Sequence, residues 1–215
     1  MLKMLIMGPA GAGKGTMSEM ICETYQVPHI STGDMFREEV KNNTPLGLEA
    51  QRYMSAGLLV PDEVTIAMVK SRLSREDCAN GYLLDGFPRS LPQAIAISDL
   101  DMNAVINLKI DEQLLVQRIV DRRICRQCGA IYNLVTLPSK VEGVCDVCGG
   151  ELYQRSDDTY EKLKVRLDSY HNETQAAVDY FRDKGIVYDI NAGQAIDDVF
   201  KDIQTALAKV KGEED

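Results

Sequence analysis

The stretch "GPAGAGKGT", Gly8 to Thr16, contains G-x-x-x-x-G-K at Gly8, Gly13 and Lys14. Glycines at this spacing let backbone N–H groups turn inward toward anionic oxygens. An apolar run precedes the loop and a helical pattern follows it, so the positive end of a helix points at the same place. Lys14 adds a full charge. The chemistry is phosphate binding, with Gly11, Ala12, Gly13, Lys14, Gly15 and Thr16 as the cradle. The residue after Lys14 is Gly15, so the hydroxyl of Thr16 comes one place later than the usual Mg²⁺ ligand. A carboxylate elsewhere must then help with Mg²⁺. Asp85, ending the run "YLLD", is the candidate, because the carboxyl edge of a parallel sheet borders the ligand crevice.

A second constellation lies in mid-chain. Cys125 and Cys128 form one C-x-x-C knuckle, and Cys145 and Cys148 another, sixteen residues apart. Four thiolates close a tetrahedral shell and leave no position for water or substrate, so the spacing predicts one structural Zn²⁺. An Fe–S cluster and disulfides are the alternatives. Cys22 and Cys78 sit in helical contexts and are expected to be buried bystanders.

Transfer of a phosphoryl group needs positioning and charge neutralisation more than covalent help. The chain has two histidines, which leaves little for a Ser–His–Asp arrangement. Arginines are better placed. Arg37 follows "STGD" and Arg89 follows "DGFP". Arg122 stands four residues after Arg118, a spacing that puts both on one helix face. Arg155 leaves the cysteine region in "YQRSDD", and Arg166 lies on the helix beyond. A solvated helix face is the ordinary alternative for any single arginine.

These residues need a scaffold. "LKMLIM", "PHIS", "YLLDG", "AVINLKI" and "IVYDI" read as short strands, with helical patterns between them, the first over Lys14–Tyr25. The alternation predicts an α/β fold: a parallel sheet flanked by helices, P-loop NTPase-like. Two regions interrupt it. Residues 34–73 read as helices broken at "NNTPLG" and "AGLLVPDE", and residues 123–158 as turns and short strands around the cysteines. From "DDTYEKL" onward one long helix is expected, with Asp157 or Asp158 as N-cap and Gly185 as C-cap. The tail "KGEED" is expected to fray.

The 215 residues are 45% hydrophobic and 27% charged, enough for a core without disulfides. A net charge of −9 argues against nucleic acid or an anionic membrane as partner. No apolar run has transmembrane length, and the N-terminus runs into the phosphate loop without a cleavage site. With no export signal, the paired knuckles point to a reducing cytoplasm.

The blocks "GPAGAGKGT", "STGDMFR", "GLLVPDEV", "LLDGFPRSLPQA", "DRRICRQCG" and "YQRSDD" occur in an order that resembles the adenylate kinase family, over essentially the whole chain. The cysteine region resembles the zinc-binding lid of the long-lid bacterial form. The resemblance implies Mg²⁺-dependent transfer between ATP and AMP, and a monomer is expected because both insertions must swing freely and no long apolar face is left over. It implies a core of residues 1–30, 61–122 and 159–215, a helical AMP-binding insertion over 31–60, and a small β-rich lid over 123–158. On the ATP side it implicates Arg118, Arg122, Ile131, Tyr132 and Gln194. On the AMP side it implicates Thr32, Arg37, Leu58, Leu59, Val60, Gly86, Phe87, Pro88, Arg89 and Gln93. Lys14, Asp85, Arg89, Arg122, Arg155 and Arg166 take the catalytic roles, with Arg155 and Arg166 also reaching the AMP phosphate. Two departures stand out: the loop proline is Pro9 rather than one place later, and "AIYN" replaces a Thr-Tyr-His-like run. A kinase for another monophosphate, or a non-catalytic nucleotide-binding zinc ribbon, are the competing readings.

Overall fold

The computed structural model describes residues 1–212; Glu213–Asp215, the end of the tail expected to fray, lie outside the described residues. In chain order the strands are β1 (Leu2–Met7), β2 (His29–Ser31), β3 (Gly81–Asp85), β4 (Ala104–Lys109), β5 (Arg122–Cys125), β6 (Ile131–Asn133), β7 (Leu152–Tyr153) and β8 (Val187–Asn191). The α-helices are α1 (Lys14–Tyr25), α2 (Thr32–Lys41), α3 (Pro45–Ala56), α4 (Asp62–Leu73), α5 (Leu91–Ala96), α6 (Glu112–Val120), α7 (Tyr160–Ser169), α8 (Gln175–Asp183) and α9 (Ile196–Lys211).

Five strands form a parallel sheet in the order β2-β3-β1-β4-β8. Alternation along β1 divides the core between the two faces of this sheet. Met4 and Ile6 pack with Ile21 of α1 and Ile203 and Leu207 of α9. Leu5 and Met7 pack with Ala94 of α5 and Val178 and Phe181 of α8. Burying a side chain of this kind is worth about 1.5–3 kcal/mol, so both faces hold the sheet firmly. The register sets Ile6 and Ser31 opposite Asp85. One carboxyl edge therefore gathers the exit of β1 into the phosphate loop, the exit of β2 into α2, and Asp85.

Both interruptions read from the sequence are present. Helices α2, α3 and α4 form the first. They pack over a small core of Phe36, Ala50 and Val60. Ser31 Oγ caps α2 and Thr44 Oγ1 caps α3. The second is a three-stranded antiparallel sheet, β6-β5-β7, with Ile124, Cys125 and Tyr132 buried and Cys145 packed beside them. It has little apolar core of its own.

The long helix differs from expectation. Thr159 is the N-cap, its Oγ1 accepting from Lys162 N at 3.3 Å. Asp158 is drawn inward instead, because it pairs with arginines. The helix also widens to a π turn over Tyr170–Thr174 before α8 resumes. Such widenings often mark functional sites. Here Thr174 Oγ1 donates to Arg89 O at 2.9 Å. Gly185, at φ 74°, does close the helix, its N–H donating to Arg182 O at 2.9 Å. A further difference concerns Arg122. Helix α6 ends at Val120, and Arg122 opens β5. Arg118 and Arg122 thus do not share a helix face.

Candidate active site

The phosphate loop opens into α1 through Gly13, which adopts φ 94° and leaves no capping side chain in front of the helix N–H groups. Lys14 Nζ folds back to donate to Gly8 O and Pro9 O, each at 2.9 Å. Desolvation first, then the charges of Arg89, Arg166 and Arg122, lowers the Lys14 ammonium to about 7, with Asp85 opposing them. Asp85 Oδ2 lies 3.4 Å from His29 Nε2. Burial works to raise the Asp85 carboxyl, but the His29 hydrogen bond and the charges of Lys14, His29 and Arg89 hold it below the usual range.

Arg37, Arg89, Arg122, Arg155 and Arg166 converge from five separate segments. Arg89 Nε donates to Gly86 O at 2.7 Å, which folds the side chain back over the turn. Gly86 has φ 75°, and a Cβ there would stand 2.7 Å from Arg89 Nη2 and 3.0 Å from Thr32 Oγ1. The glycine thus makes room for the arginine. Burial, then repulsion from Arg166, lowers Arg89 to about 10. Burial, then Arg37 and Arg122, lowers Arg155 to about 10 as well. These shifts share their causes: burial first, then the repulsion of neighbouring cations.

Carboxylates offset part of that charge. Asp34 pairs with Arg37 and lies 3.8 Å from Arg155 Nη2, linking the lid side to the helical insertion. Asp157 Oδ2 accepts from Arg166 Nη1 at 3.1 Å. Asp158 is fully buried; it accepts from Arg122 Nε at 2.8 Å and from Arg122 Nη2, with Arg166 Nη1 3.7 Å away. Sequence reading missed His29, Asp34, Asp157 and Asp158. Asp34 stands three residues before Arg37, a pairing distance on a helix, and that was the available signal. His29 and Asp158 join groups distant in sequence, and Asp157 reaches Arg166 nine residues on.

The site has two compartments. A cleft of about 1140 Å³ runs from the loop residues Gly11–Thr16 past Arg118, Arg122, Ile131 and Gln194. A narrower pocket is lined by Thr32, Leu58, Leu59, Val60 and Gln93. Arg37, Arg89 and Arg166 line both. Arg155 lines the cleft alone. Arg118 Nη1 is fastened to Ala192 O at 3.0 Å, and Gln194 Nε2 to Asp202. Ile131 stands over the loop: a Cβ on Gly15 would lie 2.5 Å from its Cδ1. Tyr132 also borders the cleft, but its hydroxyl points to the cysteines, accepting from Asp146 N at 2.8 Å. Phe87 and Pro88 line neither compartment. Phe87 packs instead in the core beside Leu84 and Ile97.

The four cysteines come together as predicted. Their Sγ atoms all lie within 4.8 Å of one another, with Cys125–Cys148 at 3.4 Å and Cys128–Cys145 at 3.6 Å. A tetrahedral Zn–S bond of about 2.3 Å sets sulfur atoms about 3.8 Å apart, so the cage fits that ion. Cys78 is buried and Cys22 half-buried, both away from the cage. Among the described residues, no helix is long and apolar enough to cross a membrane.

A P-loop on a parallel sheet, a large cleft with a narrower pocket beside it and a shared arginine cluster define a phosphotransferase acting between two phosphorylated ligands. A profile of the adenylate kinase family matches residues 6–186. The chain is 51% identical over 214 residues to the adenylate kinase of Carboxydothermus hydrogenoformans, covering 97% of this chain and 100% of that protein. It is 49% identical over 216 residues to that of Clostridioides difficile, covering 98% and 100%, and 50% identical over 212 residues to that of Desulfitobacterium hafniense, covering 96% and 98%. The chain belongs to the adenylate kinase family.

Proposed function

We propose that this chain is an ATP:AMP phosphotransferase, and that the shared lining of its two compartments is the point of transfer. ATP lies in the larger cleft, its phosphates on the loop N–H groups and Lys14. AMP lies in the narrower pocket, its base toward Thr32 and Gln93 and its phosphate toward Arg37 and Arg89. An oxygen of the AMP phosphate attacks the γ-phosphorus. A new P–O bond forms as the β,γ-bridging bond breaks, and two ADP result. The attacking oxygen is already ionised, so no general base is required. Arg89, Arg122, Arg155 and Arg166 hold the charge that spreads over the oxygens in flight. Thr16 and Asp85, which both line the cleft, would hold Mg²⁺, which neutralises phosphate charge when bound.

The observation that carries this reading is the position of Arg37, Arg89 and Arg166 on the lining of both compartments. Cys125, Cys128, Cys145 and Cys148 would hold a structural Zn²⁺ that shapes the lid segment 123–158. Lid closure excludes water, so that ATP is not hydrolysed in place of transfer. A nucleic-acid-binding ribbon is not favoured: Arg126 is paired with Glu151 at 3.0 Å and stacked on Tyr153 at 4.2 Å. A monomer in the cytoplasm fits the mechanism. A coupled assay for ADP from ATP plus AMP tests the proposal. Formation of ADP only in the presence of both nucleotides is expected, and turnover without AMP, or none with it, would overturn it.

A further inference from the structure

Gln93 is 2% exposed, yet it lines the narrower pocket. Both ends of its carboxamide are held. Its Oε1 accepts from the backbone N–H of Arg89 at 2.7 Å. Its Nε2 donates to Asp62 Oδ1 at 2.7 Å. Asp62, the first residue of α4, is itself anchored, because Ser90 Oγ donates to its other oxygen, Oδ2, at 2.8 Å. Ser90 Oγ accepts in turn from Gln93 N at 3.3 Å, closing the ring of contacts.

The polarity of these partners is obligatory. A carboxylate can only accept, and a backbone N–H can only donate. The carboxamide therefore cannot flip without setting two donors against each other at one end and two acceptors at the other. What remains for a ligand is one lone pair on Oε1 and one hydrogen on Nε2. The Watson–Crick edge of adenine offers an N6–H₂ donor beside an N1 acceptor, which fits that order. Hypoxanthine offers an O6 acceptor beside an N1–H donor, which fits only the flipped amide.

We infer that Asp62 is a specificity-positioning residue: by locking the Gln93 carboxamide in one orientation, it selects a 6-amino over a 6-oxo purine monophosphate. This rests on the reading of the narrower pocket as the acceptor-base site. The test is kcat/KM for AMP and for IMP, with KM for ATP and the melting temperature, in the wild type, Asp62→Ala and Asp62→Asn. A bidentate base contact carries roughly 10-fold discrimination or more, so Asp62→Ala should reduce the AMP-to-IMP ratio by about 10-fold. The change should come mainly through a raised KM for AMP, with KM for ATP held. Asp62→Asn should keep the ratio within about threefold, because its Oδ1 can accept from Gln93 while its amide donates to Ser90. If Asp62→Ala does not fold, Asp62→Ser, too short to reach Gln93, must lose the ratio in the same way. Equal losses for AMP and IMP in the Ala or Ser variant, or loss of the ratio in Asp62→Asn, would overturn the inference. A wild type without preference for AMP would overturn the base-site reading instead.

Discussion

Asp158 is the buried carboxylate that faces two arginines of the cleft, Arg122 and Arg166. It has no solvent exposure, while the Arg122 and Arg166 side chains that face it keep 18% and 21%. Replacing Asp158 with Ala leaves Arg122 without the carboxylate that accepts from both its Nε and its Nη2. Arg166 retains Asp157 at 3.1 Å. Removing one partner of a buried ion pair costs about 3–5 kcal/mol. The residual exposure of Arg122 and the help from Asp157 place this case at the lower end, about 3 kcal/mol. For a chain of this length each kcal/mol moves the melting temperature by about 2–4 °C, so a fall of roughly 6–12 °C is expected in differential scanning calorimetry. A saturating ATP analogue that cannot transfer its phosphoryl group should recover much of the loss, because its phosphates replace the missing anion. A fall of less than about 2 °C, or an equal fall with and without the analogue, would refute the role of Asp158 in offsetting the charge of Arg122 and Arg166.

Three further outcomes follow from the same geometry. Arg89→Ala should lower kcat by about 10²–10³, the loss typical of one preorganised charge-stabilising donor, while circular dichroism stays native; near-normal turnover removes Arg89 from the clamp. Burial lowers the Lys14 ammonium to about 7, and bound phosphate favours its charged form. Binding ATP at pH 8 should therefore take up close to one proton, and affinity should fall as pH rises from 7 toward 10. Calorimetry in buffers of different ionisation enthalpy reads this uptake, and proton release, or uptake unchanged in Lys14→Met, would contradict it. Stripping Zn²⁺ should lower the melting temperature more than it lowers turnover at 25 °C, because the four cysteines close a shell with no site for substrate. An apo protein that melts normally but has lost its chemistry would make the cage catalytic.

The parts legible in the linear chain are those whose partners are near in sequence. The phosphate loop needs only its glycines, Lys14 and the helix that follows. The cysteine cage needs two knuckles and a turn. Strands β1 and β3 and helix α1 follow from apolar runs and glycine breaks, and their positions match the reading closely. The arginines were found because the blocks that hold them resemble a family, not because spacing alone marks them. Where spacing was used alone, for Arg118 and Arg122, it misled: the helix stops at Val120 and Arg122 belongs to a strand.

What only the tertiary structure decided is the pairing. "YQRSDD" reads equally well as a helix cap, and Thr159 took that role while Asp158 turned inward to Arg122, 36 residues away. Asp62 reaches Gln93 across 31 residues, and His29 reaches Asp85 across the β2–β3 register. The physical reason is that a charge in a dry cleft is stable only beside its complement. Which complement arrives is decided by how the sheet edge, the lid and the helical insertion pack together. The phosphate loop and the cysteine cage were thus set by local spacing in the sequence, whereas the carboxylates that pair with the arginines of the cleft were chosen by the fold.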